Sequence, residues 1–230
     1  MEDIRIIELK ESILADNDAD ADKLRGELDA KGIIYVNVMS SPGSGKTSTL
    51  LRLIEELSCR YGVGVLEADI DGDVDTRTMI EAGVPAVQLH TGGMCHLDAD
   101  MSRQGLSELE DEAAKQGASL DLVFLENVGN LVCPAEFDTG AHVNLVILSV
   151  PEGDDKPLKY PLMFEKADVI AVNKIDAMEA FDFIPDRFKA NVAKCSGDTP
   201  VFMVSAATKE GMPALAEWIS DRVREKRAGQ

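Results

Sequence analysis

The run IIYVNVM, residues 33–39, is apolar and rich in β-branched residues, and it opens into the loop SSPGSGKTS, residues 40–48. The helical stretch TSTLLRLIEELSCR follows at once. Strand, glycine-rich loop and helix in that order let successive backbone N–H groups turn toward a phosphate. Gly43 and Gly45 permit the tight turns. Lys46 is then placed to reach the β- and γ-phosphates, and the Thr47 hydroxyl to hold Mg2+. Ser41, Pro42, Ser44 and Ser48 complete the loop expected to surround them. The general pattern opens with glycine, whereas Ser40 holds that place here. The bland alternative is an ordinary Gly/Ser turn. The Gly-Lys-Thr triplet in this strand–loop–helix context argues against it.

Six further runs repeat the apolar pattern: GVGVLEA, PAVQL, LDLVFLE, VNLVILSV, DVIAVN and PVFMVSA. Short, nearly continuous apolar runs suit strands buried on both faces of a mainly parallel sheet. Helical segments lie between them. LDADMSRQGLSELEDEAAKQG sets Met101, Gly105, Leu109 and Ala113 four apart, and MPALAEWISDRV places Met212, Leu215, Ala216, Ile219 and Val223 on one stripe. The alternation predicts an α/β fold: a doubly wound, mostly parallel sheet of P-loop NTPase architecture over residues 32–230, with ligands beyond the carboxyl ends of the strands. Residues 1–31 are polar and read as a helical N-terminal extension, exposed and stopped by Gly32.

Charge restricts the partners. A formal net charge of −19 on 230 residues excludes binding nucleic acid through its phosphates, which requires a basic face. No apolar run of about 18 residues occurs, so no membrane span is expected. The start MEDIRIIELKESI lacks the basic and apolar regions of a signal peptide, which makes the cytoplasm the expected compartment. There Cys59, Cys95, Cys133 and Cys195, none in a CxxC pair, are thiols.

VNKID, residues 172–176, follows a predicted strand. A carboxylate at Asp176 accepts two hydrogen bonds from the N1–H and 2-amino groups of guanine, and adenine has no donor at either place. The stem of Lys174 can lie over the base, with Asn173 beside it. Ser205 and Ala206, ending the next strand, supply a second base contact. The expected ligand is GTP with Mg2+. Asp69, at the end of the second strand, meets the Mg2+ shell. Asp71, Asp73 and Asp75 form an acidic loop, readable equally as a solvated turn. Glu126 is placed to sense the Mg2+ shell, and Gly129 to offer its N–H to the γ-phosphate as a switch-loop glycine does.

GGMCHLDADM puts Cys95 beside His96, and ENVGNLVCPAEFD carries Cys133. Thiolate and imidazole suit Ni2+ and Zn2+, and Gly92 and Gly93 supply the irregular backbone on which adjacent residues can both ligate. Free cysteine is equally a common core residue, so the residues alone leave both readings open. Cys59 reads as helix packing, Cys195 as a loop or helix-end residue, and His90 and His142 as structural.

Together SSPGSGKT, GGMCHLDADM, ENVGNLVCPAEFD, EGDDKPLKYPLMF and NKID resemble the HypB family, nickel-incorporation GTPases of nickel-iron hydrogenase maturation. The resemblance runs from about Ile33 to the C-terminus. It implies slow GTP hydrolysis, a GTP-dependent homodimer, and a Ni2+ or Zn2+ site formed by Cys95, His96 and Cys133. It also implies hydrogenase maturation partners and the hydrogenase large subunit as client. The chain departs from the family in places. Its first cysteine is Cys59 and its first histidine His90, so it has neither the N-terminal cysteine motif nor the histidine-rich tract of other members, and nickel storage is not expected. Asp100 stands where some members have histidine, and Gly72 and Thr78 where others often have Thr and Arg. A urease-type nickel GTPase would carry Cys-Pro-His where this chain reads Cys-His-Leu-Asp. A P-loop kinase would need an arginine-bearing lid and not N-K-x-D. A metal carrier using nucleotide only as a dimerisation switch would need no hydrolysis. No residue stands out as general base, so unaided hydrolysis is expected to be slow.

Overall fold

A computed structural model describes residues 9–69 and 74–228. Asp71, Gly72 and Asp73 of the acidic loop lie outside the described residues, as does the side chain of Asp75.

Each apolar run becomes a strand: β1 (Ile34–Ser40), β2 (Val63–Asp69), β3 (Ala86–His90), β4 (Leu122–Glu126), β5 (Val143–Ser149), β6 (Val169–Asn173) and β7 (Val201–Met203). Among the described residues they form one parallel sheet in the order β3-β2-β4-β1-β5-β6-β7. The strand that feeds the phosphate loop is therefore central, and every residue of it is buried. The connecting helices are α1 (Leu9–Lys31), α2 (Lys46–Leu57), α3 (Val74–Glu81), α4 (Ala99–Lys115), the short α5 (Cys133–Glu136), α6 (Lys156–Lys159) and α7 (Pro161–Glu165), then α8 (Pro185–Ser196) and α9 (Met212–Ala228).

Helices cover both faces, which is why the strands are apolar throughout. On one face Val36, Val65, Phe124 and Ile147 pack with Leu50 and Leu53 of α2, Met79 of α3, and Leu215 and Ile219 of α9. On the other, Tyr35, Leu66 and Val123 meet Leu24 and Leu28 of α1 and Leu109 of α4. Farther along that face Val146 and Ile170 meet Phe164 of α7 and Phe188 of α8.

The expectation of an exposed N-terminal helix is corrected. Ala21, Leu24 and Leu28 of α1 are buried, and each leucine contributes roughly 1.5–3 kcal/mol by leaving water. The Arg25 guanidinium donates to both carboxylate oxygens of Asp138 at 2.8 Å, the bidentate geometry that favours arginine. Gly32, at φ 71°, follows the helix as expected.

Candidate functional site

The phosphate loop leaves β1 at Ser40 and enters α2 at Lys46. Gly43 (φ 76°) and Gly45 (φ 91°) occupy the left-handed region, which costs glycine nothing. A Cβ on Gly45 would lie 2.4 Å from Asn173 Nδ2, so the residue must be glycine for space as well. The Thr47 hydroxyl donates to Glu126 Oε1 at 2.8 Å. Gly129 backs onto Pro42, whose Cγ would be 3.3 Å from an added Cβ. Pro42, Lys46, Asp69, Glu126 and Gly129 share the lining of one cavity of about 270 Å3 at the first turn of α2. Its carboxylate oxygens, with the Thr47 hydroxyl bonded to Glu126 beside it, are the hard donors Mg2+ takes, and the aligned N–H groups of the helix favour anions.

The residues expected to read the base are fastened to this loop. Asn173 Nδ2 donates to Ser44 O at 3.0 Å, and its Oδ1 accepts from Ala206 N at 3.0 Å. Lys174 adopts a positive φ of 63°, rare for a residue with a side chain, and its Nζ donates to Gly43 O at 2.6 Å. The Ser205 hydroxyl donates to Asp176 Oδ1 at 2.5 Å while accepting from Thr208 N at 3.1 Å. A cavity of about 460 Å3 opens between Gly45, Ser48 and Arg52 on one side and Lys174, Asp176 and Ala206 on the other. Of the nucleotide residues expected from sequence, Pro42 and Lys46 line the first space and Gly45, Ser48, Asn173, Lys174, Asp176 and Ala206 the second, while Ser41, Gly43, Ser44, Thr47 and Ser205 line neither.

The expected metal ligands are brought together only in part. Cys95 and Cys133 meet, their Sγ atoms 2.6 Å apart. Cys95 sits in the irregular segment after Gly92 (φ 62°) and Gly93 (φ 94°), and Cys133 opens α5. Two thiolates on one tetrahedral ion stand roughly 3.7 Å apart, from Zn–S bonds near 2.3 Å, so binding would part these sulfurs. His96 does not join them. Its ring stacks on Phe137, centroids 3.7 Å apart and planes 13° from parallel. Among the described residues no three His, Cys, Asp or Glu side chains are grouped to hold a metal. The stack leaves the ring half-buried. That burial lowers the His96 pKa, against the opposing pull of Asp98 and Glu136, and favours the neutral imidazole. The hydrogen bond shared with Cys95, helped by burial, pushes the Cys133 thiol up. Asp100 accepts from Gln104 Nε2 at 2.8 Å on the exposed first turn of α4.

A residue of α1 braces both cysteine segments. Asn17 Nδ2 donates to Asp138 O at 2.9 Å, just after α5, and Asn17 Oδ1 accepts from Ala99 N at 3.0 Å, just after the Cys95 loop. The remaining cysteines stay apart. Cys59 is exposed beyond the end of α2, which corrects its reading as packing. Cys195 lies near the end of α8, against the second core cluster. His142 is structural: its Nδ1 accepts from Tyr35 N at 3.0 Å and its Nε2 is 2.9 Å from Asp29.

Sequence reasoning missed two carboxylates. Glu152 takes a hydrogen bond from the Ser41 hydroxyl at the mouth of the phosphate loop, and its other oxygen accepts from Ser149 N and Oγ at 2.8 Å. Glu67 is buried in β2 and lines the cavity that holds Lys46. A charge inside an otherwise apolar strand was the available signal for it.

The model of the family described as CobW/HypB/UreG, nucleotide-binding domain, matches residues 34–203. Hydrogenase maturation factor HypB of Rhizobium leguminosarum bv. viciae is 44% identical over 215 residues, 94% of this chain and 70% of that protein. This chain belongs to the HypB family of hydrogenase maturation factors. The hydrogenase/urease maturation factor HypB of Helicobacter hepaticus is 41% identical over 218 residues, 94% of this chain and 88% of that protein. The crystal structure of HypB from Helicobacter pylori in complex with nickel superposes with a TM-score of 0.85 at 37% identity, covering 91% of this chain and 96% of that one. Like the HypB fold it matches, this HypB-family chain carries its phosphate loop on a parallel sheet covered on both faces. Among its described residues no helix is long and apolar enough to cross a membrane.

Proposed function

We propose that this chain hydrolyses GTP with Mg2+ in the cytoplasm and uses its nucleotide state to control delivery of nickel during hydrogenase maturation, acting as a homodimer. The observation that carries this reading is a single connection. Residues 126–133 run from Glu126, which accepts the Thr47 hydroxyl, past Gly129 to Cys133, which meets Cys95. A change at the γ-phosphate therefore has a short covalent path to one sulfur of the pair.

The roles divide as follows. The N–H groups of residues 41–48 and the Lys46 ammonium hold the phosphates. Thr47, Asp69 and Glu126 would hold Mg2+, which when bound would offset the charge of the phosphates. Asn173 orders the base loop, and Asp176, oriented by Ser205, accepts the two guanine donors. Water attacks the γ-phosphorus and the bond to the GDP oxygen breaks. Gly129 N–H meets the γ-phosphate only while it is attached.

Cys95 and Cys133 supply two thiolates, whereas nickel and zinc sites commonly use at least four donors. A second copy completes the shell in this reading, with His96 recruited from its stack on Phe137. Exposed Met94 and Val132, the neighbours of the two cysteines, give that copy an apolar surface to cover. The name of the Helicobacter hepaticus relative joins hydrogenase to urease. The Cys-His-Leu-Asp sequence favours the hydrogenase role. Single-turnover phosphate release from GTP, with ATP as competitor, tests the enzyme: GTP cleaved and ATP ignored supports it. Nucleotide binding without phosphate release would leave a carrier that merely switches.

A further inference from the structure

Glu67 stands where the faces of the sheet change character. Its face of β2 begins with Val63 and Val65, both in the core against α2. At the next position along that face the side chains turn polar across three strands. Gln88 of β3 is in register with Glu67, and Glu67 with Glu126 of β4. Adjacent strands lie about 4.8 Å apart, so the row sets two carboxylates side by side. Glu67 is 3% exposed and Glu126 4%. Burying two neighbouring acids is costly unless something nearby uses their charge. What lies nearby is the first turn of α2: Glu126 accepts the Thr47 hydroxyl, and Glu67 and Lys46 line the same cavity.

Glu67 is also held from behind. The Thr76 hydroxyl of α3 donates to Glu67 Oε2 and lies 2.7 Å from Gln88 Oε1. One hydroxyl has one proton, and Gln88 Nε2 is buried with no partner among the described residues. Turning the Gln88 amide over resolves both facts: Nε2 then donates to Thr76, and Thr76 donates to Glu67. The resulting relay, Gln88 to Thr76 to Glu67, fixes one carboxylate oxygen.

We infer that Glu67 is a positioning residue of the nucleotide site, acting beside Glu126 to orient the water shell of the Mg2+ ion that accompanies the phosphates. This rests on the proposed GTP reading. It adds a third carboxylate to Asp69 and Glu126, and it links the site to α3, the helix that follows the acidic loop.

Mn2+, which is paramagnetic, serves as the probe for Mg2+ on the full chain with saturating GDP. Wild type, Glu67→Gln and Thr76→Val are titrated by electron paramagnetic resonance, and nucleotide affinity is measured separately in chelator. Glu67→Gln should weaken Mn2+ on the order of 10-fold, as loss of an outer-shell partner typically does. Metal-free GDP affinity should hold or rise, because one negative charge is gone. Thr76→Val keeps the carboxylate but removes the Thr76 hydrogen bond to it, and should weaken Mn2+ by a smaller factor. A merely structural Glu67 would shift the melting temperature and leave Mn2+ affinity within twofold of wild type, which overturns the inference. Should Glu67→Gln fail to fold, unchanged Mn2+ affinity in Thr76→Val overturns it instead. A wild type that binds GDP without any help from Mn2+ sinks the inference and the Mg2+ assignment together. A wild type with ordinary Mn2+ dependence and an indifferent Glu67→Gln sinks the inference alone.

Discussion

The nucleotide region and the cysteine region are built to different degrees within one chain. Around the phosphate loop each residue proposed to read the base is tied into place: Asn173 to Ser44 and Ala206, Lys174 to Gly43, Asp176 to Ser205. Around Cys95 and Cys133 two sulfurs meet, but His96 is occupied with Phe137. Preorganised donors lose little freedom on binding, so the first region is ready for its ligand. The second offers two of the proposed metal's donors, and the proposed site needs a rearrangement or a second copy to complete its shell.

The largest effect should come from the preorganised side. Asp176→Asn should weaken GTP about a thousandfold and favour the xanthosine nucleotide, because a site built to accept guanine donors leaves polar groups unpaired when they mismatch. Nucleotide titration checks this, and equal competition by ATP and GTP at the wild type would break the base assignment. Nickel affinity of this variant, measured without nucleotide, should be unchanged.

Next in size, Cys95→Ala and Cys133→Ala should each cost nickel affinity about a hundredfold while GTP affinity stays near wild type, since each removes one of two thiolates. Cys59→Ala, at an exposed position, should bind nickel normally. Nickel binding should also weaken as pH falls, because the raised Cys133 thiol must give up its proton to ligate. Similar small stability losses in Cys95→Ala and Cys133→Ala, seen by thermal melting, with nickel affinity unchanged, would return these residues to core packing.

Smaller effects test the bracing by α1. Asn17→Ala removes the bridge between the two cysteine segments and should lower nickel affinity a few-fold with GTP affinity intact. His142 holds α1 from the far end, through Asp29, which also pairs with Lys226 at 2.6 Å. Burial depresses the His142 pKa below 6.5, more than Asp29 raises it. The unfolded chain therefore takes up the proton first. Stability is intact above pH 6.5 and falls as pH drops toward and through the depressed value. His142→Gln should flatten that slope in melts recorded across acidic pH, and an unchanged slope would place the acid sensitivity elsewhere.

The strands and the nucleotide loops were legible because their signals are local. A parallel strand covered on both faces is a continuous apolar run, and a phosphate loop carries its glycines where φ must be positive. Helix α8 gave little signal: only Phe188, Asn191 and Val192 of its twelve residues are buried. The apolar side of α1 was masked by the run of acidic and alanine residues around Ala21 and Leu24. Meeting of Cys95 with Cys133 depends on how the β3–α4 and β4–α5 connections lie over the sheet, and spacing cannot report that. The stacking of His96 on Phe137 is a tertiary choice of the same kind. Glu67 was visible as a charge in an apolar strand, but its role appears only once the register sets it beside Glu126.

In the proposed function one chain completes the nucleotide site and two chains complete the metal site. Nickel titration followed by sedimentation, at matched protein concentration with GDP and with a non-hydrolysable GTP analogue, tests it most directly. Nickel should bind more tightly in the analogue state, at one ion per two chains, in a species of twice the monomer mass. One ion per chain in a monomer, with the same affinity in both nucleotide states, would contradict it.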